Sequence, residues 1–541
     1  MEGILFRGVD MSRNISRGNL TEIKDILLES KKYLLIYLVL IIVAGISTIS
    51  SANISHPKFE LVTFVIVAVL GCLCILFYQA NNDEKDLYKV AFVVIVCFGL
   101  VCSLIVPIAC VSDEPEHFVR AEITSQGVLF PHWTGSDVGL TRTYDTNGHY
   151  MSNETQIGFK TIESSNFFSN DRGLTVFETT HDTDKINWTS IITPSAFEQN
   201  IFYGYFPQAI GILIAKLLDL NVIWMLWLGR IANLLCYAVL VSYAVKKTPC
   251  LKIPLLAVAC IPIAMFQAAS VSIDSMLFGL GILATAYFIY MYKSEPDSLE
   301  NKEIIIFSAI CLLFGLCKLP YLAFIFLLFL VPRKNFKDKN ALIYIVLCIA
   351  AVSAIGLLWS RYSAPTIMHS WRSVHKMNMT MQTAYMTNHP SLFMNFLAKI
   401  FNDELPNLVN GLFNFFTPGP YPQYRDQYNL ITLALQIFLV LVLIANPKNA
   451  KFDLKTRAGA FAIFLLVYFG TCFVQLLSWS YVGKTNLGIS IRYFIPIIAL
   501  IPIICGINRK CDTDFEFDKY AMVCIVGFLA AMVISFATKY Y

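Results

Sequence analysis

Charged residues are scarce in this sequence. Only 14% of its 541 residues are Asp, Glu, Lys or Arg, whereas soluble globular proteins carry roughly a quarter. Apolar residues make up 56% of the chain and form long unbroken runs that do not alternate with polar ones. This pattern excludes a soluble enzyme and a disordered scaffold, and it argues against an outer-membrane barrel. The sequence predicts an all-α, polytopic helical membrane protein.

The marks of several other protein classes are also lacking. The net charge of +4 is too small to suggest a nucleic-acid partner. The fifteen cysteines are mostly single and lie in apolar runs, with neither the spacing of a zinc site nor a disulfide framework. No Gly-rich nucleotide loop is present. About thirty mostly polar residues precede the first apolar run, so no cleavable signal is expected.

The apolar runs define the predicted membrane spans. A bilayer core needs about 20 apolar residues per helix, which gives about thirteen spans. The seventh and eighth are short and are alternatively one bent helix, broken at Leu319–Pro320. The predicted spans are 34–50, 61–79, 90–110, 222–245, 253–270, 276–292, 304–317, 320–332, 341–360, 429–446, 458–480, 491–507 and 520–537.

The distribution of Lys and Arg predicts the orientation. With thirteen spans, the basic N-terminal segment and the later basic clusters all fall on the cytoplasmic side. The two large loops, and any functional site at that surface, are then extracytoplasmic. The predicted segments are a cytoplasmic N-terminus (1–33), three transmembrane helices (34–111), a large extracytoplasmic loop (112–221), a transmembrane bundle (222–360), a second extracytoplasmic loop (361–428) and C-terminal transmembrane helices (429–541).

Two stretches have the apolar spacing of amphipathic helices. In 205–220 the apolar residues follow a helical period, while Gln208, Lys216 and Asp219 lie elsewhere. The stretch 391–402 has a similar apolar face. Both are predicted to lie on the outer membrane surface.

The strongest local signal is acidic and directly follows the third span. Asp113, Glu116, His117 and Arg120 fall on one face if a helix starts here, and Glu114 lies among them. Paired carboxylates at a water–lipid boundary can raise each other's pKa, position an acceptor hydroxyl or hold a divalent metal. The alternative is helix capping by Asp113. Capping accounts for one carboxylate but not for the whole group.

Charged residues near predicted span ends are further candidates. Lys318 and Arg492 could bind a phosphate at the outer leaflet, with Tyr493 beside Arg492. Snorkelling to the interface is the alternative for both cations. Arg230 lies within a span and could orient the outer loop through backbone carbonyls, and Asp274 could support the site or cap the helix that follows it.

An aromatic, proline-rich run covers 413–424. Its rings could stack on a sugar. An interfacial aromatic belt is the more common origin of such a run.

The order of these features resembles the GT-C superfamily of integral-membrane glycosyltransferases, and within it the bacterial domain-of-unknown-function family 2142. The resemblance spans roughly residues 90–510. Its landmarks are Asp113-Glu114-Pro115-Glu116-His117-Phe118 followed by Arg120-Ala121, then Tyr205-Phe206-Pro207-Gln208-Ala209, Ser270 to Asp274, Lys318-Leu319-Pro320-Tyr321 and Arg492-Tyr493-Phe494-Ile495-Pro496.

The resemblance implies a polyprenyl-phosphate-linked sugar donor and an extracytoplasmic glycan or cell-envelope polymer as acceptor. It implies that Asp113 is the base for an attack that inverts the anomeric carbon, with Glu116 and His117 as helpers. Arg492 and Lys318 would hold the donor phosphate. Some members of the superfamily use a divalent metal and others do not; Asp113 and Glu116 would hold it here.

Three other functions remain open at this stage. A lipid-linked-glycan flippase or other transporter predicts ionisable residues near the midplane and interrupted helices. A polysaccharide polymerase or ligase would rely on Arg372, His375 and Arg425. A non-catalytic assembly partner would function without Asp113.

Overall fold

The computed structural model describes the chain in segments. These are residues 8–48, 55–81, 83, 85–131, 140–144, 150–155, 159–166, 171, 173–179, 181–193, 197, 200–363, 379–411, 430–447, 449–485, 489–508 and 516–541.

The described chain is mostly α-helical. Its helices are α1 (Gly8–Thr48), α2 (Pro57–Ala80), α3 (Leu87–Ile105), α4 (Glu114–Ser125), α5 (Phe206–Leu217), α6 (Val222–Lys247), α7 (Lys252–Ala259), α8 (Pro262–Ala268), α9 (Asp274–Lys293), α10 (Asn301–Cys317), α11 (Ala341–Ser363), α12 (Met379–Asn388), α13 (Pro390–Lys399), α14 (Leu405–Gly411), α15 (Leu430–Ile444), α16 (Leu454–Trp479), α17 (Ile495–Ile498), α18 (Ile501–Cys505) and α19 (Phe517–Tyr540).

Shorter elements connect these helices. The 3₁₀ helices are Glu163–Asn166, Phe202–Tyr205, Leu319–Leu330, Arg333–Asn335 and Ile491–Phe494, and a π-helix covers Ile400–Glu404. The strands are β1 (Leu140–Tyr144), β2 (Tyr150–Thr155), β3 (Phe159–Ile162), β4 (Ser190–Thr193), β5 (Ala445–Asn446) and β6 (Ile507–Asn508). They pair as β1–β2 and β3–β4, both antiparallel, and as β5–β6, parallel.

Seven of the described helices are long and apolar enough to cross a membrane: α2, α3, α6, α9, α11, α16 and α19. These seven confirm the polytopic prediction, while the total of thirteen spans stays a prediction. Helices α9 and α19 are the most deeply buried of the seven, with 83% and 89% of their apolar windows inside the protein. They therefore form the centre of the bundle.

Proline interrupts two of the predicted spans. The segment 253–270 is divided into α7 and α8, because Pro262 opens α8 after an extended Ile261. The segment 491–507 is divided into a 3₁₀ turn, α17 and α18, with Pro496 and Pro502 in the first turns of the two helices. Proline lacks the N–H that a continuous helix requires, which accounts for both interruptions.

A further break lies at Lys318. This residue is extended (φ −158°, ψ 112°) and separates α10 from the 3₁₀ helix Leu319–Leu330. The two segments then pack against each other. A Cβ added at Gly315 would lie only 2.2 Å from the Leu322 side chain. The chain therefore turns back at this point, and the alternative of one bent helix is wrong.

The described part of the first predicted loop contains more than helices. Strand β3 docks on α4 because the hydroxyl of Thr161 donates to the buried Glu122 carboxylate. Lys216 of α5 forms an ion pair with the same carboxylate, and both side chains are buried. The described chain is mostly helical, as predicted, but the prediction rested on hydropathy and did not include these short paired strands.

Helix α5 is amphipathic, as predicted, and the structure shows which of its two faces packs against the protein. Ile210 and Leu217 on its apolar face are 56% and 75% exposed, whereas Gln208 and Lys216 are buried in the protein. The polar side of the helix is therefore anchored to its neighbours. The apolar side is left uncovered.

The bundle has two chemically different ends. Helix α9 runs from Asp274 at the first, here named the site end, to Lys293 at the second, named the basic end. At the basic end Lys293 donates to the carbonyl of Lys451, and Lys247 lies 3.4 Å from the ring centroid of Tyr290. Basic residues from several connections thus gather away from Asp274.

Candidate functional site at one end of the bundle

A buried ion pair organises the site end. The guanidinium of Arg230 in α6 donates from Nε and Nη2 to both oxygens of Glu114, at 2.8 and 2.7 Å. Both side chains are fully buried. The same guanidinium donates to the carbonyls of Ser103, Val106 and Pro107. Arg230 thus orients the chain after α3 through backbone carbonyls, in the way the sequence suggested, and fixes the start of α4.

The turn before α9 is tied to this pair. The backbone N–H of Val271 donates to Glu114 at 3.1 Å. The amide of Asn233 donates to the carbonyls of Ser270 and Ser272, and the amide of Gln208 also donates to Ser272. The buried network thereby sets where Asp274 starts the helix.

Asp113 occupies the N-cap position of α4 without capping it. Its backbone is left-handed (φ 62°, ψ 14°), and its side chain makes no capping hydrogen bond. Instead, its carboxylate accepts from Nη2 of Arg492, while Nη1 of Arg492 donates to the carbonyl of Ser112 at 2.8 Å. The capping interpretation is therefore wrong. Asp tolerates the left-handed region better than most residues, which allows the carboxylate to leave the helix axis.

Asp274 lies on the other side of Arg492. Its Oδ2 is 2.9 Å from Nε of Arg492, and both side chains are almost fully buried. The angle is too poor for a hydrogen bond, so the contact is an ion pair. Asp274 does not cap α9; the Ser272 hydroxyl accepts the N–H of Asp274 instead. Two carboxylates thus hold one guanidinium.

A cavity of about 170 Å³ opens beside this cluster. Five of its lining residues were predicted site residues, namely His117, Asp274, Lys318, Arg492 and Tyr493, and the landmark motifs also contain Ile273 and Leu319. Its remaining lining residues are Phe197, Asn200, Ile273, Leu277, Leu316, Cys317, Leu319, Trp359, Ser363, Val474, Gln475, Ser478 and Trp479.

Lys318 is the cation of this cavity without a carboxylate partner. In the part of the chain that the structure describes, no Asp or Glu oxygen lies within 4.0 Å of its ammonium, which is placed over the ring of Tyr493. Arg492, in contrast, is already held by Asp113 and Asp274. An incoming anion would therefore meet Lys318 first, with Arg492 as the second positive charge.

His117 is held by a buried hydrogen-bonded chain. Its ring stacks on Phe197 at a centroid distance of 4.4 Å, and Nδ1 lies 2.7 Å from the Tyr205 hydroxyl. The Asn200 amide donates to the same hydroxyl at 2.8 Å. Tyr205 is fully buried and cannot donate its hydroxyl proton to solvent. The hydroxyl therefore donates this proton to Nδ1 of His117. The imidazole proton therefore resides on Nε2, which makes His117 a neutral hydrogen-bond donor.

Burial lowers the pKa of His117 to about 4, against about 6.5 in an unfolded chain. Between these values the unfolded state binds a proton that the folded state does not. Stability is therefore complete above pH 6.5 and falls as the pH drops towards 4. From pH 6.5 to 5 we expect the wild type to lose about 2 kcal/mol through this group, at about 1.4 kcal/mol per pH unit. Thermal unfolding over that range measures the loss.

The matched variant is His117→Gln, whose amide oxygen can still accept from Tyr205 and does not titrate. Its unfolding temperature should vary less between pH 6.5 and 5 than that of the wild type. Parallel pH profiles for the two proteins would show that another group titrates.

Two residues of the acidic motif do not line the cavity. Arg120 donates to the Thr124 hydroxyl at 2.6 Å and to the carbonyls of Leu129 and Asn200. Glu116 is half-buried in the first turn of α4 and is not part of the cavity lining. Asp113 departs from the expected single face, because it precedes the helix and turns to Arg492, whereas His117 and Arg120 both contact Tyr205. Within the described segments, no three His, Cys, Asp or Glu side chains are arranged to hold a metal ion.

Other sequence candidates lie outside the described residues. They are the aromatic run 413–424 and the residues Arg372, His375 and Arg425.

The fold and site define a polytopic helical membrane protein with a charged cavity at one end of its bundle. A family model described as "Predicted membrane protein (DUF2142)" matches residues 96–501. The chain therefore belongs to this family, whose matched region includes all of the cavity-lining residues. No curated protein and no solved structure matches the chain.

Proposed function

We propose that this protein is an integral-membrane glycosyltransferase of the GT-C type. It would move a sugar from a polyprenyl-phosphate-linked donor to an extracytoplasmic glycan or cell-envelope polymer, with inversion at the anomeric carbon. The observation that carries the proposal is a cavity lined by Arg492, Asp274 and Lys318, of which Lys318 has no carboxylate partner, together with Asp113, which contacts Arg492.

The chemistry follows from the charges. A carboxylate accepts the proton of the acceptor hydroxyl as its oxygen attacks the anomeric carbon. The bond from that carbon to the phosphate oxygen breaks, and its electron pair leaves with the lipid phosphate. Lys318 and Arg492 compensate the negative charge that develops on this leaving group. Asp113 is the proposed base, because 42% of its side chain is exposed and an acceptor from water can reach it.

The distribution of basic residues supports an extracytoplasmic site. Lys247, Lys293 and Lys451 gather at the end of the bundle opposite Asp274. Short loops rich in Lys and Arg are typical of the cytoplasmic side. A site on the other side has no access to cytosolic nucleotide sugars. A lipid-linked donor, in contrast, can present its sugar on that side of the membrane.

The proposal is tested by a transfer assay on the purified protein. Short-chain polyprenyl-phosphate sugars are supplied with membrane-extracted acceptor, and donor consumption is measured. We expect turnover by the wild type, and Lys318→Met should lower kcat/KM by about 10²–10³-fold, as is typical when one group that stabilises transition-state charge is removed.

The matched control is Lys185→Met. Lys185 is an exposed residue of the first loop that pairs with Asp219, and its loss should leave turnover unchanged. If no donor in the panel is consumed by the wild type, the transferase proposal fails.

One observation favours a transporter as second candidate. Helices α7 and α8 form an interrupted pair in the buried centre of the bundle, and α17 and α18 form another. Interrupted helices build the substrate sites of many transporters. Movement of lipid-linked glycan across proteoliposomes, without donor consumption, would establish this function instead.

A further inference from the structure

We infer that Gln475 forms, with His117, a subsite that recognises the hydroxyl groups of a neutral sugar. This inference rests on the proposed function and specifies how its donor is recognised. Gln475 lies on α16 and lines the cavity, and its side chain is only 9% exposed. Its amide makes no hydrogen bond with the described residues. The nitrogen and oxygen of this amide are not fully closed off, so a ligand in the cavity can reach both.

The cavity is lined by charged groups and by neutral hydrogen-bonding groups. Lys318 supplies a positive charge for a phosphate. Gln475 and the Nε2–H of His117 supply neutral hydrogen-bonding groups, since Tyr205 leaves the imidazole proton on Nε2. An amide offers both donors and an acceptor, which matches hydroxyl groups that also donate and accept. Groups without charge favour a hydroxylated ring over a second anion.

Aromatic walls complete this half of the cavity. Trp359 and Trp479 both line it, from the ends of α11 and α16. Indole rings present flat apolar faces, which can cover the C–H face of a sugar while its hydroxyls reach the amide. A phosphate-linked neutral hexose therefore fits both halves of the cavity.

An unpartnered amide alone does not define a site. Gln79 in α2 is 8% exposed, and neither atom of its amide has a hydrogen-bond partner. It does not line the cavity. Gln475 differs because its amide opens onto a cavity that also contains a cation and two indoles. Gln79 therefore provides a matched control for the same substitution.

The test measures binding of two lipids to purified protein by titration calorimetry. The probes are farnesyl phosphate, which carries no sugar, and a panel of farnesyl-phosphoryl hexoses. At least one hexose lipid should bind the wild type more tightly than farnesyl phosphate. Gln475→Met should weaken the binding of that hexose lipid about 3- to 10-fold, which is the contribution of one neutral hydrogen bond. The affinity for farnesyl phosphate should stay unchanged. Gln79→Met should change neither.

The outcomes separate the inference from the proposed function. If Gln475→Met binds the hexose lipid as tightly as the wild type, the subsite is wrong while the donor class stands. If the wild type binds neither lipid, the proposed function fails and the subsite fails with it. The unfolding temperature of Gln475→Met, expected to equal or exceed that of the wild type because an unpaired amide is removed, shows that the variant is folded.

Discussion

Glu114→Gln is expected to lower the free energy of unfolding by about 3–5 kcal/mol, the usual cost of removing one partner from a buried ion pair. Arg230 would keep its buried charge, with only the neutral oxygens of the new amide and of the backbone carbonyls to compensate it. The N–H of Val271 would also lose a charged acceptor. Equilibrium unfolding of the detergent-solubilised protein measures the change.

The matched control is Glu163→Gln in the first loop. Glu163 is exposed and accepts a hydrogen bond from Asn187, so its stability change should stay within about 0.5 kcal/mol. A double variant, Glu114→Gln with Arg230→Met, should lose less free energy of unfolding than the two single variants lose together. The reason is that it no longer leaves one buried charge without its partner. Additive losses would show that the two side chains do not act as a pair.

This pair links stability to the geometry of the site. Glu114 is adjacent to Asp113, and it binds the turn that precedes Asp274. Both carboxylates that flank Arg492 are therefore positioned by a network that is itself closed to solvent. The site needs this support, since opposite charges such as Asp274 and Arg492 are desolvated at the end of an apolar bundle.

The candidate residues could be predicted from the sequence, but their pairing could not. Asp113, His117, Lys318 and Arg492 all stand where an apolar run ends or begins, and the ends of spans meet at a membrane surface. The contact between Asp113 and Arg492 joins positions 379 apart in the chain. No local pattern specifies such a contact. The sequence analysis therefore predicted a phosphate partner for Arg492 but not the two carboxylates that also contact its guanidinium.

Gln475 was missed for a different reason. It lies inside a long apolar run that predicts a span, and a single amide does not lower the mean hydropathy enough to stand out. A polar residue in a membrane helix is costly and commonly functional, so this signal was available. The strands of the first loop gave no comparable signal, because hydropathy windows suited to spans average over segments such as Phe159–Ile162.

Asp113→Asn is expected to lower kcat about 10²–10⁴-fold, the range for loss of a general base, in the transfer assay. Asparagine has nearly the same shape and also tolerates a left-handed backbone, so the fold and the contact with Arg492 should persist. Because the proposed function assigns donor binding to Lys318 and the cavity, KM for the donor should change little. Single-turnover measurements with saturating donor would isolate this effect on chemistry.

Asp274→Asn is the comparison that locates the base. Asp274 is only 5% exposed and lies against Nε of Arg492, so it is poorly placed to meet an acceptor from water. Its substitution should mainly disturb how Arg492 is held, and hence donor binding, with a smaller effect on kcat. If Asp274→Asn abolishes turnover while Asp113→Asn retains it, the base is Asp274 and the exposed carboxylate serves to position Arg492. If both retain turnover, neither carboxylate takes the proton, although Lys318 could still bind the phosphate.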